Sequence, residues 1–303
     1  MDYKLGITIV FHILLLTRRL ALLQRIATGS EQSGGWSSNS GSLTDDGSCN
    51  IDILDGVSLS YREFIDRYAY SKPVILRSVT DNMKFQFLCS KSNLLQEYGD
   101  RKVRLSTANT FSYKKVDVPF KEFVDLLLMP QAEDTLGSGE YRCFQQILVH
   151  RHVKGSTANE GALLPGLLTD TLYFFGDNNF TEWHSLFENY KAPPYLLPQT
   201  TGAYSFGIAG PGTGVPFHWH GPGYSEVIYG RKRWFLYPPD KAPHFHPNHT
   251  TLSWVRDVSP HLPEEERPLQ CTIQPGEVLY FPDRWWHATL NLDTSVFIST
   301  FLG

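Results

Sequence analysis

From Tyr204 onward the chain is almost entirely short strand-forming runs broken by Gly, Pro and Asp, and this pattern restricts the fold more than any other feature. The runs are Tyr204–Ile208, Val215–His220, Tyr224–Tyr229, Lys232–Tyr237, Glu277–Phe281, His287–Leu292 and Ser295–Leu302. Short antiparallel strands punctuated in this way build a sandwich, a barrel or a jelly roll. Side chains alternate along a strand. His218 and His220 therefore share one face, and Phe217 and Trp219 the other. His287 opens a later strand, behind Pro282-Asp283-Arg284-Trp285-Trp286. Two His and a carboxylate on one face, with open positions opposite, form the ligand set of non-haem Fe(II) oxygenases. Two His on a strand are by themselves more often structural, so the pattern alone names only a candidate.

Upstream the period changes. Ser60-Tyr61-Arg62-Glu63 is a capping-box pattern, with Phe64 and Tyr68 continuing a helical face. Lys72-Pro73 ends that helix, and Val74–Leu76 reads as a strand. A second helix is expected over Lys91–Tyr98, stopping at Gly99, followed by a strand at Val103–Leu105. A third starts near Pro119, with Phe120, Phe123 and Leu127 on one stripe. Trp183, Leu186, Phe187 and Tyr190, at i, i+3, i+4 and i+7, predict a short amphipathic helix capped by Thr181. Residues 137–170 have no clear period and read as a disordered insertion. Residues 30–50 are Ser/Gly-rich and read as a flexible linker.

The N-terminus, residues 1–29, reads as a signal peptide or signal-like leader. Lys4 precedes an apolar run from Leu5 to Leu16, and about 12 residues are too few to cross a bilayer but suit a signal-peptide core. The alternative is an uncleaved membrane-associated helix, which would be the chain's sole membrane contact. Two glycosylation sequons, at Asn179 and Asn248, fit entry into the secretory pathway. Cys49, Cys89, Cys143 and Cys271 allow three pairings in an oxidising compartment, and none has zinc-type spacing. A net charge of −4 argues against nucleic acid as a partner. The compact basic run Arg231-Lys232-Arg233 sits in a hairpin, where alternation scatters it over two faces.

Three blocks resemble the JmjC branch of the 2-oxoglutarate oxygenases. They are Gly207-Ile208-Ala209-Gly210 with Pro216-Phe217-His218, then Gly230-Arg231-Lys232-Arg233-Trp234 with Tyr237-Pro238-Pro239, then Gly276–Pro282 with Trp285-Trp286-His287. The resemblance covers about 204–302, and Val57–Leu128 is similar to the family's N-terminal part. It implies a mainly β chain: a double-stranded β-helix (jelly roll, cupin/JmjC) with an N-terminal α/β helical cap. The cap would span 51–136 and the core 171–303. By resemblance His218 and His287 match iron ligands, and Lys232 matches the basic residue that pairs with the far carboxylate of 2-oxoglutarate. Fe(II) and 2-oxoglutarate are the cofactors implied.

Three positions depart from the family pattern. His220 stands where the family has Asp or Glu, Val215 where many members have a hydroxyl, and Gly223 where many have Asn. A two-residue hairpin loop at Tyr229-Gly230 or Gly230-Arg231 would pair Lys232 with Val227 or Tyr229. If Lys232 points into the barrel, Glu226 then points out and is no substitute ligand. A His218/His220/His287 metal site remains chemically reasonable, because neutral imidazoles bind Fe, Zn, Cu or Ni. The expected function is a non-catalytic JmjC-like protein of the endoplasmic reticulum lumen, regulating through interactions with secretory-pathway proteins. The alternatives are an active Fe(II)/2-oxoglutarate-dependent protein hydroxylase and a three-His metal cupin. His244, His246 and His249 read as solvated loop residues. Trp219, Trp234, Phe235, Trp285 and Trp286 read as packing.

Overall fold

The computed structural model describes residues 32–38, 43–107, 115–131, 172–176, 180–247 and 249–303. The expected leader, the expected 137–170 insertion, Cys143 and both sequon asparagines lie outside the described residues.

Twelve strands form two sheets among the described residues. In chain order they are β1 (Asp52–Asp55), β2 (Val74–Arg77), β3 (Lys102–Thr107), β4 (Lys115–Pro119), β5 (Leu172–Phe175), β6 (Gly202–Ala209), β7 (Gly223–Tyr229), β8 (Lys232–Tyr237), β9 (Leu269–Ile273), β10 (Glu277–Phe281), β11 (Trp286–Asn291) and β12 (Ser295–Leu302). The large sheet runs β1-β2-β10-β7-β12-β6-β5-β3-β4 and the small one β11-β8-β9. All pairs are antiparallel except β1 with β2. The sheets close on a shared core: Val227, Leu279 and Ile75 from the large sheet pack with Trp234, Leu236 and Ile273 from the small one. That closure is the jelly roll.

Strands β7 and β8 do not form the expected hairpin. The chain passes through Gly230 at φ +80° and crosses from the large sheet to the small one. A Cβ there would lie 2.5 Å from the Thr294 carbonyl oxygen, so the crossing needs glycine. A two-residue gap reads the same in sequence whether it folds back or crosses over. The basic run separates as expected. Arg231 pairs with Asp293, Arg233 pairs with Asp45 and Asp46, and Lys232 is buried.

The outer face of the large sheet is covered by helices. α1 (Tyr61–Arg67) starts at the Ser60 hydroxyl, which accepts from the Glu63 amide at 3.1 Å. α2 (Met83–Leu88) and α3 (Lys91–Tyr98) follow, the latter ending at Gly99. α4 (Phe120–Glu122) runs into a π-helical turn at Phe123–Leu127. α5 (Phe180–Phe187) begins one residue before its expected cap. Its stripe of Trp183, Leu186 and Phe187 is buried, with Trp183 stacked on Tyr98 at 4.2 Å. Burying a side chain such as Leu186 or Phe187 contributes about 1.5–3 kcal/mol by leaving water. α6 (Thr251–Asp257) packs Trp254 on Phe217 and Phe235, behind the small sheet.

The stretch expected as a flexible linker is anchored wherever it is described. Trp36 is buried and donates to the Cys89 carbonyl at 3.0 Å. Asp45 and Asp46 each sit 2.9 Å from the Arg233 guanidinium, which is buried in the assembled fold. Cys49 is joined to Cys271 of β9 by a disulfide, and Cys89 is a buried free thiol. The composition is linker-like, but one Trp, two acids and one Cys suffice to fix the path.

Candidate metal centre

His218 and His220 lie in the segment before β7, which is less regular than the strand expected over Val215–His220. It docks on β11 through reciprocal bonds between His218 and His287, 3.1 and 2.8 Å, so the two residues stand directly opposite. The alternation still operates. Phe217 is buried under α6, while Trp219 points outward and is 52% exposed, unlike the packed position expected for it. His220 is held by Arg284, whose amide donates to the His220 carbonyl at 2.9 Å.

The three rings converge. Their ligand nitrogens all lie within 4.8 Å of one another, and Nε2 of His287 is 3.1 Å from Nε2 of His220. Backbone carbonyls fix all three tautomers. Nδ1 of His218 meets Pro216 O at 2.9 Å, Nδ1 of His220 meets Gly221 O at 2.8 Å, and Nδ1 of His287 meets Trp285 O at 2.9 Å. A carbonyl only accepts, so each Nδ1 carries the proton and each Nε2 presents a bare lone pair. Two lone pairs facing each other at 3.1 Å repel unless a cation sits between them. With metal–nitrogen bonds of about 2.0–2.1 Å, neighbouring ligands of one ion stand about 3.0–3.4 Å apart. The donor set therefore fits a divalent ion, with the outer ring nitrogens fixed as metal-binding imidazoles require.

Protons do not compete well for this position. Burial holds the His218 imidazole down at about 4, aided by the charges of His220 and Lys232 and opposed by the Pro216 bond. Burial lowers His220 as well, and pushes His287 well below the usual range together with its two neighbours.

Beside the histidines lies a cavity of about 40 Å3, lined by both sheets. Lys232 is at its wall, and burial alone lowers its ammonium to about 7. Its Nζ sits 3.5 Å from the centre of the Phe297 ring and 3.4 Å from Asn291 Oδ1. A bulge at Val296/Phe297 in the β12–β7 register accompanies that placement. Phe297 packs on Phe175 and on Gly207, where a Cβ would meet the ring at 2.5 Å.

Glu226 is not in this cavity. It is buried on the opposite face of β7, beneath the helices, where both oxygens accept from Asn82 and one each from Thr80 and Tyr190. Burial raises its carboxyl above the usual range, against the pull of those donors. Its exclusion as a ligand thus follows from the sheet pairing of β7 and not from a hairpin. His244, His246 and His249 are exposed, as expected, and the latter two stack at 4.4 Å beside a separate cavity of about 290 Å3 behind Phe217.

A cupin-like domain family model matches residues 61–301. JmjC domain-containing protein 8 of Homo sapiens is 56% identical over 94% of this chain and 96% of its own length. The chain belongs to the cupin-like JmjC family. The Rattus norvegicus protein of the same name is 61% identical over 81% of this chain and 80% of that one. Among solved structures, the Escherichia coli ribosomal oxygenase YcfD aligns with a TM-score of 0.43 at 16% identity. That alignment covers 80% of this chain and 52% of that one.

As a JmjC site, the pocket does not fit 2-oxoglutarate. The ammonium expected to meet its far carboxylate is faced by an aromatic ring. Val215 offers no hydroxyl, and it is part of an apolar wall with Phe175, Phe281, Phe297 and Phe301. Gly223 is packed against Phe281 and the Thr300 carbonyl, each 2.9 Å from where a Cβ would stand, so an Asn has no room. The sequence singles out the three histidines and Lys232, and the structure brings them to one cavity. It does not single out Phe297, Ser225 and Ser299, because a Phe or Ser in a core strand carries no signal of its own.

Proposed function

We propose that this chain is a JmjC-like protein of the secretory pathway that holds a divalent metal on His218, His220 and His287 and does not turn over 2-oxoglutarate. It acts by binding other lumenal proteins. The observation that carries the reading is Phe297 over Lys232, which occupies the position a cosubstrate carboxylate needs. The missing carboxylate ligand adds to it, since three neutral imidazoles leave the metal's full double charge and alter its redox behaviour.

A second feature favours metal retention over an empty relic. Three independent backbone carbonyls orient three lone pairs toward one point. Packed structural histidines have no need of that convergence. The Cys49–Cys271 bond supports an oxidising compartment, in keeping with the leader and sequons. Elemental analysis of protein purified from a secretory host tests the metal. One equivalent of divalent ion that disappears in His287→Ala supports the site, and metal-free wild type after reconstitution contradicts it. Glycosidase treatment of cell-derived protein tests the compartment: a shift in two steps supports it, and no shift opposes it.

A further inference from the structure

The histidine cavity contains two polar groups that the fold leaves unused. Ser225 Oγ and Trp234 Nε1 are fully buried and have no hydrogen-bond partner among the described residues, and both residues line the cavity with the three histidines. Ser225 comes from β7 and Trp234 from β8, so the two sheets each contribute one donor. A buried unpaired donor is costly, and native folds rarely keep two together without something to bind. The metal reading sharpens this. Three neutral ligands leave a dication in a low-dielectric cavity whose described lining has no carboxylate. An uncompensated charge there is unfavourable, so an anion is needed to balance it. Size then limits the choice. Phe281, Phe297 and Phe301 narrow the cavity and make its wall apolar, which favours an anion of few heavy atoms.

We infer that the metal-loaded site binds a planar one-carbon oxyanion, formate or bicarbonate in class. One oxygen would bind the metal, and the remaining oxygen of formate, or the two of bicarbonate, would accept from Ser225 Oγ and Trp234 Nε1. This rests on the metal reading above. It replaces a dicarboxylate site with a smaller one built from residues of the same barrel. The binding is a ligation, and no bond of the anion is made or broken.

The test uses full-length protein loaded with Co(II), whose visible absorption reports its coordination. Formate and bicarbonate are titrated separately, with 2-oxoglutarate as the oversized comparator. Saturable spectral change with formate or bicarbonate and none with 2-oxoglutarate is the expected result. Ser225→Ala and Trp234→Phe should each weaken the anion by about five- to thirtyfold while Co(II) stoichiometry stays at wild type. Ser225→Ala is the milder change and keeps the test alive if the Trp234 variant does not fold. Co(II) bound with no response to either anion, or with a response that both variants leave unchanged, overturns the inference and leaves the metal reading standing. Failure of Co(II) to bind overturns both.

Discussion

Truncating Phe297 to Ala should open the 2-oxoglutarate position while weakening the fold. The ring is 3% exposed and packs on Phe175, on Gly207 and on the Lys232 ammonium. Removing a buried Phe costs about 3–5 kcal/mol. Unfolding entropy near 2.1 cal/mol/K per residue over 303 residues gives about 0.6 kcal/mol/K. Melting should therefore fall by about 5–8 °C. The cation–π contact, worth up to about 2 kcal/mol, is lost with the ring and falls on stability; in the variant Lys232 is free to make a charge-assisted bond to a carboxylate, worth about 1.5–3 kcal/mol. Tenfold in affinity is ~1.4 kcal/mol, so the lower end of that range already reaches it. Calorimetric titration of 2-oxoglutarate into metal-loaded protein is the assay. Binding at least tenfold tighter in Phe297→Ala than in wild type is the prediction. Equal affinity in the two proteins would refute the argument that the ring closes the site.

Other outcomes follow from the same geometry. His220→Asp should tighten Fe(II) binding without giving 2-oxoglutarate turnover, since Phe297 still covers Lys232; succinate release by the single variant would count against this. Adding Gly223→Asn should lower the melting temperature and not rescue activity, because its Cβ meets Phe281 and the Thr300 carbonyl at 2.9 Å. Cys49→Ser should cost about 2–5 kcal/mol in urea denaturation, as the lost cross-link spans 222 residues; an unchanged midpoint would mean that the ion pairs to Arg233 hold the segment alone. Metal-free protein should lose stability as pH falls from about 6.5 toward 4. In that window the unfolded chain protonates His218 and the folded chain does not, and denaturation midpoints at pH 7.5 and 5 should show the decline. Glu226→Gln should destabilise by about 1–3 kcal/mol, because an amide NH2 faces donors that both carboxylate oxygens now satisfy; a neutral result would show the network to be dispensable.

The barrel was legible because strand alternation and turn residues are local signals, and they recur from Tyr204 to Leu302 except between β8 and β9, where α6 intervenes and β9 itself was not read as a strand. The histidines were legible for a related reason: His218 and His220 sit two apart, and alternation survives even where the segment is irregular. What could not be read was where β7 and β8 go. Gly230 marks a change of direction in either topology, and only the partners of β8, which are β9 and β11, decide between them. The anchoring of residues 43–50 escaped for the opposite reason. Its contacts, Asp45 to Arg233 and Cys49 to Cys271, join positions about two hundred residues apart, and no local window contains both ends. Phe297 shows the same limit at the site. Its neighbours in sequence are ordinary core residues, and its consequence comes from a bulge that sets it against Lys232.

Succinate release by iron-loaded wild-type protein, with 2-oxoglutarate and ascorbate supplied and iron content measured in the same sample, tests the central claim most directly. Iron retained at one equivalent with succinate no higher than in a His218→Ala/His287→Ala control is the predicted result. Succinate released well above that control by the wild type would contradict the account, because it would show that three histidines and a ring-capped lysine suffice for 2-oxoglutarate turnover.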